Sequence, residues 1–141
     1  MDFPVMSPLV SERIWAMPIG GASVKFFNYL VHRGEPDNGA LPNQKQMSVE
    51  YGVSQASIST LMDPLVKLNL VLRPESESGR KGNSYRLHPL AAKYSSIEAM
   101  QAVWKQALHD MQAGVLAAIN LPEYKIAPPA EGDLPRLHRV A

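Results

Sequence analysis

The 141-residue chain contains no cysteine, which excludes disulfides, thiolate zinc sites and cysteine nucleophiles. Long apolar runs are also missing, and none approaches the roughly 18 residues a membrane helix needs. The opening "MDFPVMSPLV" carries an acid at position 2 and two prolines, unlike a secretory signal. A cytoplasmic, bacterial setting without membrane contact is the expectation. Charge of one sign is scarce: the net charge is +1, with 19% charged and 45% hydrophobic residues. That balance suits a globular protein and excludes a disordered chain. It is also less basic than most nucleic-acid-binding domains.

Catalytic patterns are scarce too. His32, His88, His109 and His138 are scattered, with no HExxH and no carboxylate at metal-ligand spacing. His109 and Asp110 are adjacent on a helix and would diverge. "GRKGNS" lacks the spacing of a phosphate-binding P-loop. No enzymatic activity, cofactor or metal is expected.

What is present is a succession of helical patterns. Residues 1–19 form an arm or a short helix, the latter with Ser7 as N-cap and Pro8 in the first turn. "ASVKFFNYLVHRG" repeats apolar residues at Phe26, Phe27, Leu30 and Val31, with Gly34 as a C-cap. "EPDNG" is a loop. "NQKQMSVEY" is a short helix capped by Asn43, with Met47 and Tyr51 inward. Gly52 breaks it, and Ser54 caps a second helix whose stripe is Ile58, Leu61, Met62, Leu65 and Leu68. Pro64 should kink that helix, and Asn69 should end it in a left-handed conformation.

"LVLRP" and "SYRLH" read as two short strands joined by the polar "ESESGRKGN". A capping box of Ser95 and Glu98 then opens a helix of about 22 residues. Its stripe is Ile97, Met100, Trp104, Leu108, Met111, Val115 and Ala118, slightly weakened by Gly114. The tail from 121 to 141 holds Pro122, Pro128, Pro129 and Pro135, and reads as mobile or laid on the surface.

This order resembles a winged helix-turn-helix domain over about residues 20–90. The lead-in "GALPNQKQMSVEYGVS" is similar to GntR-type regulators, and the open hairpin "LRPESESGRKGNSYRL" to the longer wings of MarR-like regulators. The fold class implied is mainly α with a small β-hairpin, a winged helix-turn-helix followed by a long C-terminal dimerisation helix at 95–120. The function implied is a cytoplasmic, nucleoid-associated, homodimeric transcriptional regulator, most simply a repressor on double-stranded DNA. A plasmid or mobile-element replication or partition protein, and a protein-interaction winged helix without DNA binding, stand as alternatives.

The resemblance implies DNA contacts from Asn43, Gln44, Lys45, Ser54, Gln55, Ala56, Ser57, Ser59 and Thr60, and from Arg80, Lys81 and Asn83 of the wing. Gln55 stands where many family members carry arginine, and glutamine can pair bidentately with adenine. Ala56 or the Thr60 methyl would meet thymine methyls. Arg80 and Lys81, between Gly79 and Gly82, would neutralise phosphate. Glu75 and Glu77 oppose this, so only the tip should engage. A stripe longer than one small domain covers suggests a dimer interface at Ile97, Met100, Trp104, Leu108, Met111 and Val115. No effector domain follows the wing; a small ligand would have only a cleft beside it.

Overall fold

The computed structural model describes residues 4–7, 10, 17–73 and 85–119, and the backbone of 124–126 and 137–139. Four helices lie among them: α1 (Gly21–Arg33), α2 (Gln44–Tyr51), α3 (Gln55–Lys67) and α4 (Ile97–Gln112). Three two-stranded antiparallel pairs accompany them. β1 (Val5–Met6) pairs with β4 (Lys93–Tyr94), β2 (Val71–Leu72) with β3 (Arg86–Leu87), and β5 (Tyr124–Ile126) with β6 (Leu137–Arg139). The fold is mainly helical with a small hairpin sheet. None of the helices is long and apolar enough to cross a membrane.

The helix boundaries follow from local chemistry. Asn43 Oδ1 accepts from the Gln46 amide at 2.8 Å and satisfies one of the donors a helix start leaves unpaired. Gly52 ends α2 at φ 76°, a left-handed conformation that glycine adopts without a Cβ penalty. The Ser54 hydroxyl then accepts from the Ser57 amide at 3.1 Å to start α3. α3 runs without interruption through Pro64, and Asn69 follows it at φ 63°. Gly34 differs from expectation. It closes α1 in an extended conformation rather than a left-handed one, and a Cβ there would stand 3.0 Å from a Leu87 methyl. Close packing, not turn geometry, selects this glycine.

A single core joins the four helices and the strands β1 to β4. Phe26, Phe27, Leu30 and Val31 of α1 are buried with Met47 of α2 and with Ile58, Met62 and Leu65 of α3. Outside that core, α1 and α2 are joined by an exposed network. Glu50 Oε1 accepts from the Tyr29 hydroxyl at 2.7 Å and from Arg33 Nε at 2.8 Å. The Arg33 hydrogen bond, then that from Tyr29, holds the Glu50 carboxyl below its usual pKa, while burial first and Glu50 second push the Tyr29 phenol up. The loop before α2 joins the hairpin, with Ala40 bridging Arg86 and the Leu87 amide donating to the Gly39 carbonyl at 2.9 Å.

Two expectations at the C-terminal side need correction. The N-cap of α4 is Ser96, which accepts from the Ala99 amide at 3.1 Å. Ser95 is drawn away by Asp37, whose carboxylate accepts from the Ser95 amide at 2.9 Å and hydroxyl at 2.8 Å. α4 also stops at Gln112, because Gly114 takes φ 76° and turns the chain, so Val115 lies beyond it. Within the stretch from 121 to 141, β5 and β6 pair with each other.

Candidate nucleic-acid interface

α2, the turn at 52–54 and α3 put one row of small polar side chains on the outside of the molecule. Gln55, Ala56, Ser59 and Thr60 are exposed, while Ile58, Met62 and Leu65 on the opposite face are buried. Helical periodicity separates the two sets. The Thr60 hydroxyl donates to the Ala56 carbonyl at 3.1 Å. Ser54 and Ser57 are exposed and engage each other, the Ser54 hydroxyl donating to Ser57 Oγ at 3.0 Å. Lys45 is exposed in the first turn of α2, two residues after the exposed cap Asn43. Asn43, Lys45 and the α3 row thus share solvent access. Arg80, Lys81 and Asn83 lie outside the described residues.

Gln44 is the departure. It is half-buried, and its Nε2 donates both to the Tyr85 hydroxyl at 2.9 Å and to Ser59 Oγ at 3.2 Å. Both amide protons are therefore used inside the protein.

An open groove of about 790 Å³ separates α3 from the base of the hairpin. Ser59, Met62, Asp63 and Val66 line its α3 side; Arg73, Tyr85 and Arg86 line its hairpin side. Arg73 stacks its guanidinium over the Tyr85 ring, 5.5 Å from the centroid. Val115, Leu116 and Ala117 close one end. That closing segment is clasped twice. Asn69 Nδ2 donates to the Ala118 carbonyl at 2.8 Å, and His88 Nε2 lies 2.7 Å from the Ala117 carbonyl. Because the Leu90 amide donates to His88 Nδ1 at 3.1 Å, the proton of the neutral ring sits on Nε2. Burial holds this imidazole down to about 4, opposed by its bond to Ala117.

The groove adds Asp63, Arg73, Tyr85 and Arg86 to the neighbourhood of the expected site. Arg86 was legible, since it lies between buried Tyr85 and Leu87 in a strand of period two. Asp63 and Lys67 form an exposed i,i+4 ion pair at 2.9 Å, one turn beyond the neutral row. The groove itself had no sequence signal, because segments 115–117, 71–73 and 85–86 meet only in the fold.

The residues expected at a dimer interface divide. Met100 and Trp104 have no exposed surface and pack in the chain's own core, so neither can meet a second copy. A small domain leaves its sheet and helices partly uncovered, and here α4 covers them. Leu108 and Met111 are half-buried, whereas Ile97 and Val115 are 41% and 78% exposed. Among the described residues, no group of three or more histidine or acidic side chains could hold a metal ion.

Compared with known families, with characterised proteins and with solved structures, the chain matches none. Function has to be argued from these residues alone.

Proposed function

We propose that the chain is a sequence-specific double-stranded DNA-binding protein of the winged helix-turn-helix type, acting as a homodimeric transcriptional regulator. The observation that carries this reading is the outer row of α3, Gln55, Ala56, Ser59 and Thr60. It is exposed, small and uncharged from Gln55 to Thr60. Arg73 and Arg86 line the groove beside Ser59, and exposed Lys45 follows Gln44, whose side chain reaches Ser59. A major groove about 12 Å wide admits such a helix closely, and neutral hydrogen-bonding groups can meet base edges there. Lys45, Arg73 and Arg86 would neutralise phosphates of the strands bordering that groove. The exposed Ser54 and Asn43 caps mark two helix N-termini, each able to receive a phosphate. Since the net charge is only +1, a monomer would bind weakly. Two copies on half-sites a helical turn apart would multiply that affinity. Ile97, Leu108, Met111 and Val115 remain as the surface for pairing.

The test is selection of bound fragments from random duplex DNA by the purified protein. An inverted repeat with half-sites about one turn, roughly 10 base pairs, apart supports a dimeric regulator. Arrays of direct repeats would favour the replication or partition alternative. No enrichment at low salt refutes DNA reading. With a motif in hand, Gln55→Ala should relax preference at one position. Lys45→Ala with Arg86→Ala should weaken all sequences alike and reduce the salt slope by about 1 per lost contact.

A further inference from the structure

Ser59 stands in the middle of the exposed row, and its hydroxyl is already engaged. Gln44 Nε2 reaches it at 3.2 Å with one amide proton and the Tyr85 hydroxyl at 2.9 Å with the other. Tyr85 is 6% exposed and is covered by the Arg73 guanidinium at 5.5 Å. Four side chains thus connect the hairpin base to the reading face of α3, through α2. An amide nitrogen can only donate. Ser59 Oγ therefore accepts from Gln44, which occupies one of its two lone pairs and leaves its own proton for a further partner.

We propose that Gln44 is a positioning residue which presents Ser59 to DNA as a hydrogen-bond donor and ties that presentation to the hairpin through Tyr85. This inference rests on the DNA-reading function proposed above and goes further, naming the chemistry read. A hydroxyl held as donor selects an acceptor on the major-groove edge: N7 or O6 of guanine, N7 of adenine or O4 of thymine. With one lone pair already taken, it is the poorer acceptor for the amino groups of cytosine and adenine, which offer only protons. Without Gln44 the hydroxyl rotates freely and serves donors and acceptors alike, so one position in the site loses its preference. Gln44 itself touches no base.

Gln44→Glu separates this from a merely structural role. A carboxylate accepts where the amide donated, so it takes the Ser59 proton and leaves Ser59 Oγ facing DNA as an acceptor. The preference at that one position should then turn toward cytosine or the adenine amino group, a change of roughly fivefold for one neutral hydrogen bond. The added negative charge also lowers affinity, but evenly across positions. Tyr85→Phe keeps the ring under Arg73 and removes the hydroxyl; it should broaden the same position while leaving the salt slope unchanged.

The experiment is fragment selection from random duplex DNA with wild type, Gln44→Glu and Tyr85→Phe, each checked for an unchanged thermal midpoint. Ser59→Ala serves as the reference for which position is read. A shift confined to the Ser59 position in both variants supports the proposal. An even loss at every position, an unchanged motif, or a Gln44→Glu shift at a position that Ser59→Ala does not affect overturns it. If wild type itself enriches no motif, the DNA reading has failed and this inference falls with it. That result differs from one in which wild type selects a motif that Gln44→Glu leaves intact.

Discussion

His88 is fully buried and uses both ring nitrogens, Nδ1 to accept from Leu90 and Nε2 to hold Ala117. A second proton would cost the Leu90 bond and place a charge in the core. Its pKa is accordingly lowered from 6.5 to about 4, first by burial. The unfolded chain takes a proton near 6.5 while the folded one does not. Stability from this group is therefore complete above 6.5 and is lost as pH falls from 6.5 to about 4. The size is about 3 kcal/mol for a shift of this extent. His88→Gln should flatten the acid limb of the thermal midpoint between those values, measured by circular dichroism across pH. An unchanged slope would mean that other groups carry it. The sequence marked His88 only as one of four scattered histidines, since its partner at Ala117 is 29 residues away.

At the scale of elements, two glycines with similar backbone angles should behave differently. Gly52 (φ 76°) has nothing within 4 Å of a would-be Cβ, so Gly52→Ala should cost only the left-handed strain, about 1 kcal/mol. Gly39 (φ 68°) packs against β3, and a Cβ there would meet the Leu87 carbonyl oxygen at 3.0 Å and Leu87 Cβ at 3.1 Å. Gly39→Ala should cost roughly 3 kcal/mol, from strain plus a backbone shift. Urea denaturation of both variants gives the comparison, and equal losses would contradict it. The break at Gly52 was legible because a polar cap, Ser54, follows it. The closeness at Gly39 was not, because Leu87 comes from a strand 48 positions later. The same holds for Ser95, whose sequence fits a capping box with Glu98 until Asp37, 58 residues earlier, captures it.

For the whole molecule, α4 decides how the chain unfolds. Trp104 and Met100 share one core with α1, α2 and α3. Trp104→Ala should remove about 3–5 kcal/mol and lower the stability of every helix together, in a single transition. Hydrogen exchange at the α1 and α3 amides reads this out. If those amides keep their protection while α4 loses its own, α4 is a separate module. A second expectation concerns pairing. Charged substitutions Leu108→Glu and Met111→Glu, on half-buried positions of α4, should shift a dimer toward monomer in analytical ultracentrifugation if that face is the interface.

The sequence by itself determined the local parts of this protein. Caps at Asn43 and Ser54, the turn at Gly52, the left-handed Asn69 and the buried stripe of α3 all depend on neighbours within a few residues. So does the exposed row from Gln55 to Thr60, which is the complement of that stripe. Tertiary structure alone decided which of several locally allowed partners each group took. Gln44 became a clamp between Ser59 and Tyr85, Ser95 yielded its cap to Ser96, and Trp104 turned into the core rather than toward a second copy. The reason is physical: periodicity and capping act over one or two turns. Burial and hydrogen-bond competition are settled only when segments 15 to 80 residues apart come into contact.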